Sequence, residues 1–247
     1  MEKVYKKERI NGIDFIRGLA VINMVLYHLL YDIVYIFNID VSWFSISKVY
    51  YWQQAIVITF VFISGVSCSF SKHNVKRGVE VFLFAIILSV VTYVALPEEF
   101  IAFGILHFLG ISIILFGLLK KLIDKIPNSI GAIGSVFLFL VTKGVSRGFI
   151  GIGDIKLVEL PYVFYNSKYL FWLGFPDKGF SSGDYAPLFP WFFMLLLGFF
   201  SWNFICSHKY PNWFASMKVP VVNGIGRKSL WIYMLHQPII YGILLLI

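Results

Sequence analysis

The chain contains seven apolar runs of about 20 residues, the length a helix needs to cross the roughly 30 Å hydrocarbon core of a bilayer. They fall at 13–37, 49–70, 79–96, 100–119, 129–143, 188–206 and 228–246, the fifth being short and rich in glycine. In lipid every backbone N–H and C=O must find its partner inside the segment, so runs of this kind have essentially one solution. The expected fold class is therefore all-α: a polytopic integral membrane protein of about seven transmembrane helices. Composition agrees, since 59% of the 247 residues are hydrophobic and only 14% are charged, which excludes an ordinary soluble domain.

Orientation follows from the basic residues between the runs. Lys3, Lys6, Lys7, Arg9, Lys72, Lys76, Arg77, Lys120, Lys121, Lys125, Lys209, Lys218, Arg227 and Lys228 fall on one side. Of basic residues the opposite short loops hold only Lys48, beside the acidic Asp40, Glu98 and Glu99. This asymmetry puts the N-terminus in the cytoplasm and the C-terminus outside, in a multi-pass protein of the cell membrane. The first run is too long for a signal-peptide core and ends without a small-residue cleavage site, so no cleaved signal is expected. The formal charge of +8 is spread over these flanks and forms no nucleic-acid recognition motif. Cys68 and Cys206 have no neighbours at metal-ligand spacing, and neither a disulfide nor a metal is expected.

The one long connection, 144–187, then lies outside. Tyr162, Tyr165, Tyr169, Phe171, Trp172, Phe175 and Tyr185 stand in it among charged residues, a density that argues against disorder. It is expected to fold at the membrane surface, with Tyr162 to Phe175 as an interfacial or re-entrant helix. No internal repeat or second domain is visible, so residues 1–247 read as a single domain.

Polar residues inside the first run have to justify their burial. Arg17 and His28 are eleven residues apart, three helical turns plus about 20°, and so share one face about 16 Å apart. Asp14 and Asp32 fall within roughly 60° of the same line. Such a stripe faces a protein interior or a wet cavity, and it combines a base, a cation and carboxylates.

Four segments carry a resemblance. Ile13-Asp14-Phe15-Ile16-Arg17-Gly18-Leu19-Ala20, followed by Met24 and Tyr27-His28, resembles the opening helix of the membrane acyltransferases, whose mark is arginine, ten residues, then histidine. Phe60-Val61-Phe62-Ile63-Ser64-Gly65 and Pro190-Trp191-Phe192 with Gly198 resemble later helices of the same proteins. Gly226 to Pro238, with Leu235-His236-Gln237-Pro238 at its end, resembles their last helix. The short chain and this C-terminal signature are most similar to the bacterial relatives of the heparan-alpha-glucosaminide N-acetyltransferase catalytic domain, which implies the bacterial plasma membrane.

The resemblance implies an acyltransferase that takes an acyl group, acetyl above all, from cytoplasmic acyl-CoA to an acceptor at the outer side, often a sugar of a surface glycan. Membrane lipid, acyl-CoA and an outer acceptor such as a carbohydrate are the implied partners; homo-oligomerisation stays open. One departure matters. The lysosomal branch uses a histidine in the outer loop after the first helix, where this chain has Asn38-Ile39-Asp40-Val41-Ser42-Trp43. The expected base is therefore His28, with Asp40 as a second candidate.

The chemistry agrees with that choice. Acyl transfer from a thioester to a hydroxyl or amine needs a base for the acceptor proton, and imidazole suits neutral pH. Asp32, one turn beyond His28, is placed to orient or charge-stabilise the ring. The alternative is that both simply hydrogen-bond between helices. Arg17 can receive a CoA phosphate or pair with Asp14. Lys76, Arg77, Arg227 and Lys228 are further phosphate candidates, although the charge bias alone accounts for them.

Asp14, His107, Trp191, Ser229, Tyr233 and His236 are candidates for lining the acceptor cavity, with packed helix contacts as the alternative for the two histidines. Trp43, Trp52, Trp172 and Trp191 read first as an aromatic belt at the headgroups. His73 and His208, among lysines, read as solvated. The competing class is a small secondary transporter or flippase, which would also place ionisable residues at midmembrane.

Overall fold

The computed structural model describes residues 10–207 and 212–246; Lys3, Lys6, Lys7, Arg9, His208 and Lys209 lie outside them. Helix α1 (Asn11–Tyr31) runs on into a π-helical turn, Asp32–Ile36. It is followed by α2 (Ile46–Cys68), α3 (Asn74–Ala95), α4 (Ile105–Ile123) and α5 (Asn128–Thr142). A hairpin of β1 (Phe149–Ile152) and β2 (Ile155–Glu159) comes next, then α6 (Leu188–Ser207), α7 (Asn212–Ser216), α8 (Pro220–Arg227) and α9 (Ser229–Leu244). The protein is thus an all-α membrane protein apart from one small antiparallel pair of strands.

Among the described residues, six helical spans are long and apolar enough to cross a membrane: Asn11–Ile36, α2, α3, α4, Asn128–Arg147 and α6. The seventh run yields α9, whose 16 residues rise about 24 Å and fall short of the 30 Å core. Its approach is broken by Lys228, which is not helical and separates α9 from α8.

The described residues fall into two compact units, 10–63 with 212–246, and 64–207. In the first, α1 packs along α8 and also against α9 and α7. The backbones come close because glycines stand at the crossing. A Cβ on Gly18 would lie 2.0 Å from the Val222 carbonyl oxygen, and one on Gly226 would lie 1.9 Å from that of Asp14. Asn223 fastens the crossing, its amide donating to the Asn11 carbonyl at 2.7 Å while its side-chain oxygen accepts the Val219 N–H at 2.7 Å. Val21, Met24 and Tyr27 of α1 close a core with Phe44, Val49 and Ile56 at and before the first half of α2.

In the second unit α3 pairs with α4 and α5 with α6. Glycines again mark close approaches: a Cβ on Gly65 of α2 would meet the Leu195 carbonyl oxygen of α6 at 1.9 Å, and one on Gly110 of α4 would meet Phe82 of α3 at 2.7 Å. The segment expected to be an interfacial helix is instead two short 3-10 turns, Tyr162–Asn166 and Phe171–Leu173. Side chains hold this connection. The Tyr165 hydroxyl donates to the Val145 carbonyl, that of Tyr185 donates to Phe171 O at 2.6 Å, and Phe171 stacks on Phe180 with centroids 4.8 Å apart. Burial raises the pKa of both phenols, so both remain donors.

The tryptophan belt is also only part of the picture. Trp191 is buried and packs edge-on against Phe139, and the Trp52 indole donates to the Asn23 side chain at 3.0 Å. Both serve helix packing, and only Trp43 is strongly exposed among the four.

Candidate active site

The first unit gathers His28, Asp32, His236 and Gln237. His28 lies in the last full turn of α1, and its Nδ1–H donates to the Met24 carbonyl at 3.0 Å. His236 lies midway along α9, and its Nδ1–H donates to the Tyr233 carbonyl at 2.6 Å. A carbonyl oxygen only accepts, so each Nδ1 carries its proton, and in the neutral ring each Nε2 is the lone-pair acceptor. The rings meet edge to face with centroids 4.8 Å apart.

Asp32 is fully buried at the point where α1 widens into the π turn. Its backbone N–H still bonds to His28 O, which keeps its side chain one α turn beyond the histidine, as the spacing predicted. Oδ1 accepts from the Gln237 amide at 3.2 Å. Three buried atoms of the cluster make no hydrogen bond among the described residues: Asp32 Oδ2, Gln237 Oε1 and His236 Nε2. All three are acceptors, and unmatched buried acceptors are costly. Their natural complement is a molecule rich in O–H or N–H donors.

Gln237 is the residue that sequence reasoning passed over. It stands four residues beyond Tyr233 on the same helical face, a signal that was available but weak beside the adjacent histidine. Ser229 and Tyr233 occupy α9 with partial exposure, and Tyr233 lies against His236 with ring centroids 5.5 Å apart. Asp40 is exposed in the connection after the π turn.

Arg17 pairs with the buried Asp14, Nη1 to Oδ1 at 3.4 Å, and its side chain is partly exposed. Arg227 and Lys228 are exposed at the α8–α9 junction of the same unit, with Arg227 Nε donating to Asn223 O at 3.2 Å. The other phosphate candidates lie in the second unit. Lys76 is exposed there, while Arg77 donates to Ser67 O at 3.1 Å and to the Cys68 sulfur at 3.3 Å, closing the end of α2.

His107 is also in the second unit and is saturated. Its Nδ1 accepts the Gly104 N–H at 3.2 Å. The Ser89 hydroxyl spends its hydrogen on Ile101 O at 2.6 Å, so the 3.1 Å contact between Ser89 and His107 is the Nε2–H donating. One ring nitrogen caps the start of α4 at Gly104, and the other ties α4 to Ser89 of α3. Among the described residues no group of three or more acidic, cysteine or histidine side chains could hold a metal.

Membrane-spanning helices, with a buried histidine and carboxylate cluster where α1 meets α9, define a polytopic membrane protein with a polar site. The particular class comes from sequence: residues 9–238 match the heparan-alpha-glucosaminide N-acetyltransferase catalytic family, and the chain belongs to it. Membership makes the function of the membrane acetyltransferase type, and this favours acyl transfer over transport. No curated protein and no solved structure matches the chain.

Proposed function

We propose that the whole chain is a single acyltransferase domain that moves an acetyl group from cytoplasmic acetyl-CoA, or another acyl-CoA, to an acceptor at the outer side of the cell membrane, a glycan sugar being the leading candidate. The N-terminus is then cytoplasmic and 144–187 external, in keeping with the loop charges.

His28 is the general base in this reading. Its Nε2 takes the proton from the acceptor O–H or N–H as the oxygen or nitrogen lone pair attacks the thioester carbonyl carbon. The tetrahedral intermediate collapses with cleavage of the C–S bond, and the imidazolium returns its proton to the CoA sulfur. Asp32 stabilises the imidazolium, and Gln237 holds the carboxylate in place. His236 accepts a second hydrogen bond from the acceptor. Arg17, Arg227 and Lys228 are the donor-phosphate contacts in this unit, the guanidinium offering a fork matched to phosphate oxygens.

The observation that supports the reading most directly is the pair of imidazoles whose Nδ1 atoms are tied to carbonyls while Nε2 atoms stay free to accept. Substrates that lose a proton during acyl transfer supply the missing donors. The test is direct: purified protein in liposomes is given acetyl-CoA and a panel of amino sugars and polyols, and acetylated product is measured. Transfer to at least one acceptor is expected, together with acetyl-CoA binding that weakens as salt rises. Absence of binding heat at millimolar acetyl-CoA, in protein shown to be folded, would falsify the donor assignment.

A further inference from the structure

The hairpin that follows α5 has its apolar face turned away from the protein. The register pairs Phe149 with Glu159 and Gly151 with Lys156 on one face, and Ile150 with Val158 and Ile152 with Ile155 on the other. The first face is the inward one. Phe149 is buried, with the Arg147 guanidinium 4.9 Å and the Lys156 ammonium 5.8 Å from its ring centre. The salt links Arg147 to Asp154 and Lys156 to Glu159, at 3.4 and 3.3 Å, accompany it. The second face is Ile150, Ile152, Ile155 and Val158, and Ile152, Ile155 and Val158 are 46%, 69% and 57% exposed. Leu157, the extra residue of the bulge, is 62% exposed. In water this is the wrong way round, because an antiparallel pair normally turns its apolar face to the core.

Position identifies what covers it. The span that contains α5 ends at Arg147, and β1 begins two residues later, so the hairpin starts where the hydrocarbon stops. Its depth is bounded on both sides. The outward isoleucines and valine favour leaving water, whereas two strands with unpaired outer edges cannot enter the hydrocarbon without leaving backbone groups unsatisfied. The headgroup layer meets both conditions, since it is less polar than water yet still offers hydrogen-bond partners.

We propose that β1 and β2 form an interfacial anchor that seats Ile152, Ile155 and Val158 in the headgroup layer of the bilayer crossed by α5. The turn fits the role: Gly153 has a φ of 62°, as a two-residue hairpin loop requires. The bulge is locked by Gly151, where a Cβ would stand 1.9 Å from the Ile155 carbonyl oxygen. Lys156 and Arg147, on the inward face, keep their stems over Phe149 and their charges toward water and phosphate.

The anchor is independent of the acyl-transfer reading and is tested separately. Ile155→Cys and Lys156→Cys, each in a Cys206→Ser background, are labelled with an environment-sensitive nitrobenzoxadiazole and reconstituted in phosphatidylcholine vesicles. These vesicles carry nitroxide quenchers either near the headgroup or near the chain ends. The label at 155 is expected to emit to the blue of that at 156 and to be quenched several-fold more by the shallow nitroxide than by the deep one. Water-like emission at 155 without quenching overturns the proposal, as does stronger quenching by the deep nitroxide. Efficient disulfide cross-linking of Ile155→Cys between two chains, without lipid quenching, would assign the face to a second copy instead.

Discussion

Two buried histidines of this chain have nearly equal exposure, 7% for His236 and 5% for His107, and opposite chemical situations. His107 uses both ring nitrogens, accepting from Gly104 and donating to Ser89. His236 uses one, and its Nε2 makes no hydrogen bond among the described residues, next to the His28 ring. Burial alone therefore does not separate a histidine that braces helices from one that can handle a substrate. Saturation does, because a ring with both nitrogens committed has no lone pair or proton to lend. His107 is thus committed to the helices around it, whereas unmatched acceptors remain beside His28 on α1 and α9.

The sharpest way to break this contrast is His28→Ala. It should lower turnover roughly 10²- to 10⁴-fold, the range of a positioned general base, while acyl-CoA binding by calorimetry changes by a few-fold at most. Near wild-type turnover in this variant, with loss in Asp40→Ala, would move the base into the outer connection.

Next in size is Arg17→Ala. It removes a charge-assisted contact and should weaken acyl-CoA binding about 10- to 100-fold, with kcat at saturating donor little changed. A thermal shift without loss of donor affinity would assign Arg17 to its pairing with Asp14 alone. His107→Ala should show the reverse pattern from His28→Ala. It strands the Gly104 N–H and should cost roughly 1–3 kcal/mol in stability, read as a lower melting temperature in detergent, with turnover per folded molecule kept. The smallest effect belongs to Asp32→Asn against Gln237→Leu, compared by kcat and donor affinity together. Both should depress kcat more than affinity, Asp32→Asn the more strongly because it removes the charge.

Much of the fold was legible because the bilayer demands continuous apolar helices. The first six runs fall within about five residues of the observed spans at either end. The one-turn relation of His28 and Asp32 held because α1 stays regular through Tyr31. What escaped has identifiable physical causes. The hairpin hides in Phe149-Ile150-Gly151-Ile152-Gly153-Asp154-Ile155, where an apolar run is too short to distinguish strand from helix and the bulge at Ile150 and Gly151 breaks the alternation. The last run is mostly apolar and long enough for a full span, but Lys228 ends α8 and α9 starts afresh at Ser229. Gln237 was missed because its relevance is set by Asp32, 205 residues earlier, and pairings at that separation leave no local pattern. Conversely, nothing in the spacing of His107 announced that Ser89 and Gly104 would saturate it.

The π turn at Asp32–Ile36 has a further consequence for how this helix tolerates change. Such a turn holds one residue more than an α turn, as the Phe37 N–H to Asp32 O bond records. Deleting a single residue among Ile33, Val34, Tyr35 and Ile36 would let the ordinary ladder continue. Everything after the deletion would then swing by about 100° around the helix axis relative to His28 and Asp32. The ring contact of Phe37 with Tyr241 lies beyond that pivot, and the Tyr35 hydroxyl that accepts the Ile46 N–H stands within it. The extra residue thus acts as a phase shift, setting the outer connection and the two polar side chains before it on angular positions that a uniform helix cannot provide together.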